Sequence, residues 1–284
     1  MGLYDRDYTR VDFDSRYRYT PQMRFSFPRI SPVVKWLLII NIVVFLTAII
    51  IKPLGIIIYQ SFQLDPRSLP RALQFWRLIT YQFLHDPNFV WHIFFNMLGL
   101  FFLGPTLERH WGGKRFLTFY LGCGVAGALF YFLLVAVKFL HARPMVGASG
   151  AILGMLAACA ILFPHFVVII LLFPVPIRVA AVAFTAVYLV AVLTRSANAG
   201  GDAAHLAGMA AGAGYVFSRP WRERFKLRMQ AGAWEKKMAA ERKLQLELDR
   251  ILQKVHDSGI HSLTSKEKKI LKKATDAERR RSEL

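Results

Sequence analysis

Between Val33 and Phe217 the chain carries six long apolar stretches with almost no charge: roughly Val33–Ile51, Phe89–Leu107, Phe116–Phe139, Ala148–Phe163, Ile177–Leu193 and Ala203–Phe217. A hydrocarbon core needs about 20 apolar helical residues to cross it. In lipid every backbone N–H and C=O must be satisfied within the segment, so such stretches fold as helices. The fourth and sixth are short for a full crossing, and their many small residues fit close packing or a thinned site. The region Phe166–Leu193 is too long for one simple span. Pro174 and Pro176 divide it, so "FVVIILLF" reads as an interfacial or re-entrant piece before span five, a seventh span being the alternative. The expected fold is an all-α membrane protein, a six-transmembrane-helix bundle.

Composition agrees. Of 284 residues 55% are hydrophobic, only 19% are charged, and the charges cluster at the two ends. Orientation follows from Lys and Arg in short flanks. Arg6, Arg10, Arg16, Arg18, Arg24, Arg29 and Lys35 mark the N-terminal side, and Arg109, Lys114 and Arg115 the connection after span two. Both termini are therefore expected in the cytoplasm of a bacterial-type cell (inner) membrane, with no cleavable signal peptide. The net charge of +19 fits anionic lipid of the inner leaflet rather than nucleic acid. Cys123 and Cys159 fall inside spans three and four as small packing residues, without a disulfide framework. No zinc spacing, Walker loop or dinucleotide fingerprint occurs, so neither metal nor cofactor is expected.

Polar side chains inside spans are costly and mark function. With directions assigned, His92 and Asn96 lie in the outer half of span two, one turn apart on one face. Ser149 sits at the outer end of span four and His205 near the outer end of span six. Each alone is open to a packing role. Together they deliver Ser, His, His and Asn from three helices to one level. Gly150 and Gly154 on span four, with Ala204, Gly208 and Gly212 on span six, form small-residue stripes that let backbones approach. If those stripes meet, Ser149 and His205 come within hydrogen-bond reach, the first requirement of an activated serine. Gly147 permits a turn closed to other residues, and a helix starting at Ser149 points unpaired N–H groups at the site.

These residues resemble the rhomboid family of intramembrane serine proteases over about Trp36 to Phe217. The likeness is carried by "FWRLITYQFLH", "WHIFFNMLGLFFLGPTLERHWGG", "VGASGAILG" and "AAHLAGMAAGAGY". It implies a six-helix fold with a water-filled cavity open to the outer side. It also implies Ser149 as nucleophile, His205 as general base, and His92, Asn96 and the Ser149 N–H as the oxyanion hole. Substrates would be transmembrane proteins, entering past span five and the "RSANAGGDA" connection. Trp76 and Arg77 match a structural pair in the long first connection, and Glu108 and Arg109 a fold-stabilising turn. The family often places an aromatic one turn after the serine to support the histidine ring, where this chain has Leu153. Asp202 reads as a helix N-cap rather than a third catalytic member.

Two other classes of function stand beside this reading. A non-catalytic relative that binds or extracts membrane clients usually lacks the Ser or His present here. A small-solute transporter predicts paired inverted repeats, and none is evident.

The ends read differently. Residues 1–32 form a basic arm with the composition of a disordered segment, and 33–217 the catalytic domain. Residues 218–284 form a cytosolic tail with 19 Lys/Arg against 10 Asp/Glu. "AWEKKMAAERKLQLELDRILQKV" reads as an amphipathic helix with Leu244, Leu248, Ile251, Leu252 and Val255 along one side. Gly259 breaks it, and Thr264 and Glu267 form a capping box that opens a second helix. Docking, lipid contact and stability are all open as roles for this hairpin. The sequence carries no signal for oligomeric state.

Overall fold

The computed structural model describes residues 29–67, 69–170 and 173–282, so the arm expected over 1–32 lies almost wholly outside the described residues. The chain divides into two compact units, one ending at Gly212 and one beginning at Ala213.

The first unit is helical. Its long elements are α1 (Pro32–Ile50), α5 (Val90–Trp111), α6 (Gly113–Ala136), α7 (Ser149–Leu162), α8 (Ile177–Leu193) and, up to Gly212, α9 (Ala199–Phe217). Between α1 and α5 come α2 (Lys52–Phe62) and two single turns, α3 (Leu69–Ala72) and α4 (Arg77–Thr80). Helices α1, α5 and α6 are long and apolar enough to cross a membrane; α7 and α8 are shorter apolar helices of 14 and 17 residues. The burial pattern is that of a protein solvated by lipid. Ile39, Ile40 and Val43 on α1, Phe94 and Phe95 on α5, and Val182 and Val187 on α8 all face outward. Water would penalise such a surface at roughly 25 cal/mol per Å² of apolar area.

Helix α7 is the central post, buried at every position from Gly150 to Ala160. Only small residues fit there. A Cβ on Gly154 would stand 2.6 Å from Cys123 Sγ of α6 and 2.9 Å from the Gly208 carbonyl oxygen of α9. Cys123 and Cys159 are both buried and free, as packing residues are.

The polar residues of the connections act as caps. Glu108, near the end of α5, accepts hydrogen bonds from the Val33 and Val34 N–H groups at 3.0 Å and from the Ser31 hydroxyl. A buried carboxylate thus satisfies the orphan donors of α1 and complements its dipole. Arg109 donates to the Arg29 carbonyl. Arg77, buried, donates to the Gln60 and Gln63 carbonyls at 2.6 Å each, closing the C-terminal end of α2, while Trp76 Nε1 donates to the Ser61 carbonyl. A guanidinium fork suits two diverging carbonyls better than a lysine ammonium would. Both pairs hold the fold, the role their resemblance implies.

The segment expected as an interfacial or re-entrant piece holds a strand, β1 (Val167–Ile170), which pairs with β2 (Phe173–Pro176) starting at its end, antiparallel with Val167 opposite Pro176 and Ile170 opposite Phe173. The β-branched run "VVII" favours extended backbone. Pro174 and Pro176 lack the N–H a helix would use and tolerate such an edge.

In the second unit α10 (Arg219–Ser258) is followed by a turn at Gly259, φ 75°, and by α11 (Ser265–Ser282). The capping box forms as expected: the Thr264 N–H donates to Glu267 Oε2 at 2.8 Å and the Glu267 N–H to Thr264 Oγ1 at 3.3 Å. Lys254 reaches Glu267 across the hairpin at 3.0 Å. Helix α10 starts well before the expected Ala233. Of the expected apolar side, Ile251 is buried, whereas Leu244 and Leu252 are exposed.

Candidate active site

The serine is placed by the loop ahead of α7. Met145 pairs with Leu64 of the first connection in an antiparallel bridge, with N–H···O distances of 3.1 and 2.8 Å. The Gly147 N–H donates to the Tyr81 carbonyl at 3.0 Å, and the Tyr131 hydroxyl contacts the Arg143 backbone at 2.8 Å. Gly147 then turns with φ 128°, in the region that favours glycine. Ser149 follows as the first residue of α7, where N–H groups have no intrahelical partner.

The glycine stripes do meet. A Cβ built on Gly208 would run into the Gly150 backbone, and one on Gly212 into that of Gly154. Ala204 continues the seam, its carbonyl oxygen 3.4 Å from where a Gly150 Cβ would be. Backbone contact at this range sets the distance between the tops of α7 and α9. Ser149 Oγ and His205 Nε2 lie 2.6 Å apart. With the hydroxyl donating, Nε2 accepts and Nδ1 carries the ring proton.

Asp202 is no third member of this pair. Its Oδ1 is 3.7 Å from His205 Nδ1, outside hydrogen-bond range. The carboxylate accepts instead from Ser196 Oγ at 3.2 Å and Asn198 Nδ2 at 3.3 Å. It lies within the first turn of α9 rather than at the N-cap, so it ties the preceding loop to the helix.

His92 stands beside the serine. Its Nδ1 accepts the Asp86 N–H at 3.2 Å, which leaves Nε2 as the protonated nitrogen. That Nε2 lies 2.7 Å from the point a Gly147 Cβ would occupy, and Ser149 Oγ lies 3.6 Å from the same point. Gly147 is therefore required twice, for its φ and for the imidazole that fills its missing side chain. Asn96, one turn on, donates from Nδ2 to the His92 carbonyl at 2.7 Å, and its buried Oδ1 has no partner among the described residues. It is brought behind His92 rather than onto the lining of the cavity.

That cavity, about 700 Å³, is lined by Ser149, His205, His92, Gly147, Tyr131 and Asn198 among others. Arg143 and Arg195 also line it and bring positive charge, with Asp86 as the opposing carboxylate.

Two site neighbours were not singled out in the sequence. His85, in the connection before α5, is buried, its ring nitrogens have no partner among the described residues, and it packs edge-to-face on His92 at 5.1 Å. Burial, reinforced by His92, holds its pKa down at about 3, so the ring is neutral. Its sequence surroundings, with Asp86, Pro87 and Asn88 directly after it, read as a polar turn and gave no signal of burial. The second is Tyr188 of α8, whose ring lies 4.6 Å from that of His205 at an interplanar angle of 59°. Leu153, at the position where the family often has an aromatic, is a buried aliphatic of α7.

Comparison with known proteins follows the same lines. Residues 235–275 match a family of unknown function, DUF6576. The chain is 37% identical over 87 residues to the mitochondrial rhomboid protein 1 of Saccharomyces cerevisiae, covering 30% of this chain and 25% of that one. It is 40% identical over 82 residues to the putative rhomboid protease YdcA of Bacillus subtilis, covering 29% and 38%. It is also 30% identical over 92 residues to a protein named inactive RHOMBOID-like protein 8 of Arabidopsis thaliana, covering 32% and 24%. The aligned stretches thus span well under half the length of each relative. The rhomboid domain model matches residues 72–221, over half of the 284 residues, and the chain belongs to the rhomboid family.

Proposed function

We propose that this chain is an intramembrane serine endopeptidase that hydrolyses peptide bonds in or near transmembrane segments of other membrane proteins. In this reading residues 33–217 form a six-span catalytic domain and 218–284 a cytosolic tail, with both termini cytoplasmic. The observation that carries the proposal is the 2.6 Å contact between Ser149 Oγ and His205 Nε2 at the wall of a cavity.

His205 takes the serine proton as Oγ attacks the scissile carbonyl carbon, then returns it to the leaving amine. A water admitted through the cavity hydrolyses the acyl-enzyme by the same proton route. The charge on the tetrahedral oxygen falls to the His92 Nε2–H and the Ser149 N–H, with Asn96 supporting His92 from one turn below. A donor of this kind contributes about 3–4 kcal/mol to the transition state. A substrate helix must unwind to expose its amide, so glycine and proline near the cut favour cleavage.

The test compares purified protein with Ser149→Ala on a model transmembrane substrate, together with labelling by a fluorophosphonate. Wild type is expected to cleave and to label, and Ser149→Ala to do neither. Equal cleavage by both proteins would end the assignment, and neither cleavage nor labelling by wild type would favour a client-binding relative.

A further inference from the structure

The proton-bearing nitrogen of His205, Nδ1, has no hydrogen-bond partner among the described residues. In a Ser-His-Asp triad a carboxylate on that nitrogen fixes the ring orientation. Here the nearest carboxylate, Asp202, is 3.7 Å away and is occupied by Ser196 and Asn198. A histidine ring turns about χ2 in a broad, nearly two-fold well, so hydrogen bonding or packing must select its angle. The serine bond at Nε2 fixes one end of the ring and leaves rotation about that contact open. The aromatic ring against the imidazole is Tyr188, at 4.6 Å.

Tyr188 is itself braced. Phe184, one turn earlier on α8, stacks on it at 5.8 Å and 12°. Thr185 of α8 reaches Met209 Sδ of α9 at 3.7 Å, one turn from His205. The fully buried residues of α8, Ile177, Ala180 and Val192, lie near its two ends. At mid-length Thr185 and the half-buried Tyr188 both touch α9.

We infer that Tyr188 is a positioning residue for the dyad: its ring, carried on α8, replaces a hydrogen-bonding carboxylate in holding the His205 imidazole in line with Ser149. The inference rests on the proposed dyad chemistry. Losing the ring lets the imidazole rotate, and a misplacement on the order of 1 Å costs about 10²-fold in rate. The loss falls on kcat, because Tyr188 is placed against the base and not against the cavity that receives substrate.

The experiment uses the purified full chain. Fluorophosphonate labelling of wild type and of Ser149→Ala is measured first, so that failure of the dyad reading is seen separately. Steady-state cleavage of a transmembrane substrate, the labelling rate at Ser149 and the unfolding midpoint are then compared for Tyr188→Phe, Tyr188→Leu and Tyr188→Met. Tyr188→Phe is expected to stay within about threefold of wild type. Tyr188→Leu and Tyr188→Met are expected to lose about 10- to 100-fold in kcat and in labelling rate together, with KM unchanged. Met has an adaptable side chain that fills the space if Leu does not fold. The inference is overturned if either aliphatic variant keeps wild-type kcat, if Phe is as impaired as Leu, or if the loss appears in KM alone.

Discussion

Replacing Gly147 with alanine tests the construction of the site at its tightest point. Two costs arise from one methyl group. At φ 128° a residue with a side chain is strained, by about 1–3 kcal/mol. The new Cβ would also stand 2.7 Å from His92 Nε2 and 3.0 Å from its Cε1, whereas ordinary contact begins at 3.4 Å. The imidazole must therefore move by about 0.7 Å, on a scale where 1 Å costs about 10²-fold in rate. The Asp86 N–H on Nδ1 limits where it can go. Gly147→Ala is thus expected to lower kcat about 10- to 100-fold on a transmembrane substrate and to lower stability by about 1–3 kcal/mol. Purified protein in detergent allows both readings, by steady-state cleavage and thermal unfolding. The control is Gly122→Ala on α6, where a Cβ meets nothing within 4 Å. That change is expected to be neutral or to stabilise by about 0.5–1 kcal/mol. A Gly147→Ala enzyme with wild-type kcat and midpoint would refute the argument that His92 occupies the glycine's empty side.

Two further predictions concern the frame of the site. Gly208→Ala drives a Cβ into the Gly150 backbone, which no side-chain rotation relieves; a loss of about 1–3 kcal/mol in stability is expected, with a fall in Ser149 labelling, read by unfolding midpoint and fluorophosphonate rate. Asp65 is buried and accepts from Arg67 at 2.7–3.1 Å and from Arg71 at 2.7 Å; the Arg67 guanidinium above all holds its carboxyl well below the usual carboxylate range. A depressed folded pKa means the ion pairs stabilise above the unfolded pKa and are lost as pH falls below about 4. Because both arginines are half-exposed, Asp65→Asn is expected to cost only about 1–2 kcal/mol at pH 7, and the gap to wild type should close as unfolding is measured from pH 5 towards pH 3. A gap that stays constant over that range would contradict the pairing.

What the sequence discloses depends on how local the determining physics is. Helices α1, α5 and α6 follow from long runs without charge, because lipid tolerates few alternatives to helix. The meeting of Ser149 with His205 was readable because the glycine spacings on two spans define matching seams before any contact is known. The pair β1 and β2 was hidden, since an apolar run beside prolines serves equally well as strand or interfacial segment. The early start of α10 was masked by Trp221 and Phe225, exposed aromatics that blur its polar pattern. Tyr188 was missed for a different reason. Its partner lies 17 residues on, in another helix, and nothing short of packing α8 on α9 says which of its faces meets the histidine.

The contact of Gly208 with Gly150 has a consequence for how the catalytic distance responds to its surroundings. Peptide units pressed directly together leave no rotamers to adjust and no soft atoms to compress. The separation of the two backbones that carry the hydroxyl and the imidazole is consequently fixed by covalent geometry at the seam, much as a ruler's marks are fixed by its material. Bilayer thickness or lateral pressure can tilt or shift the outer helices while this spacing stays constant.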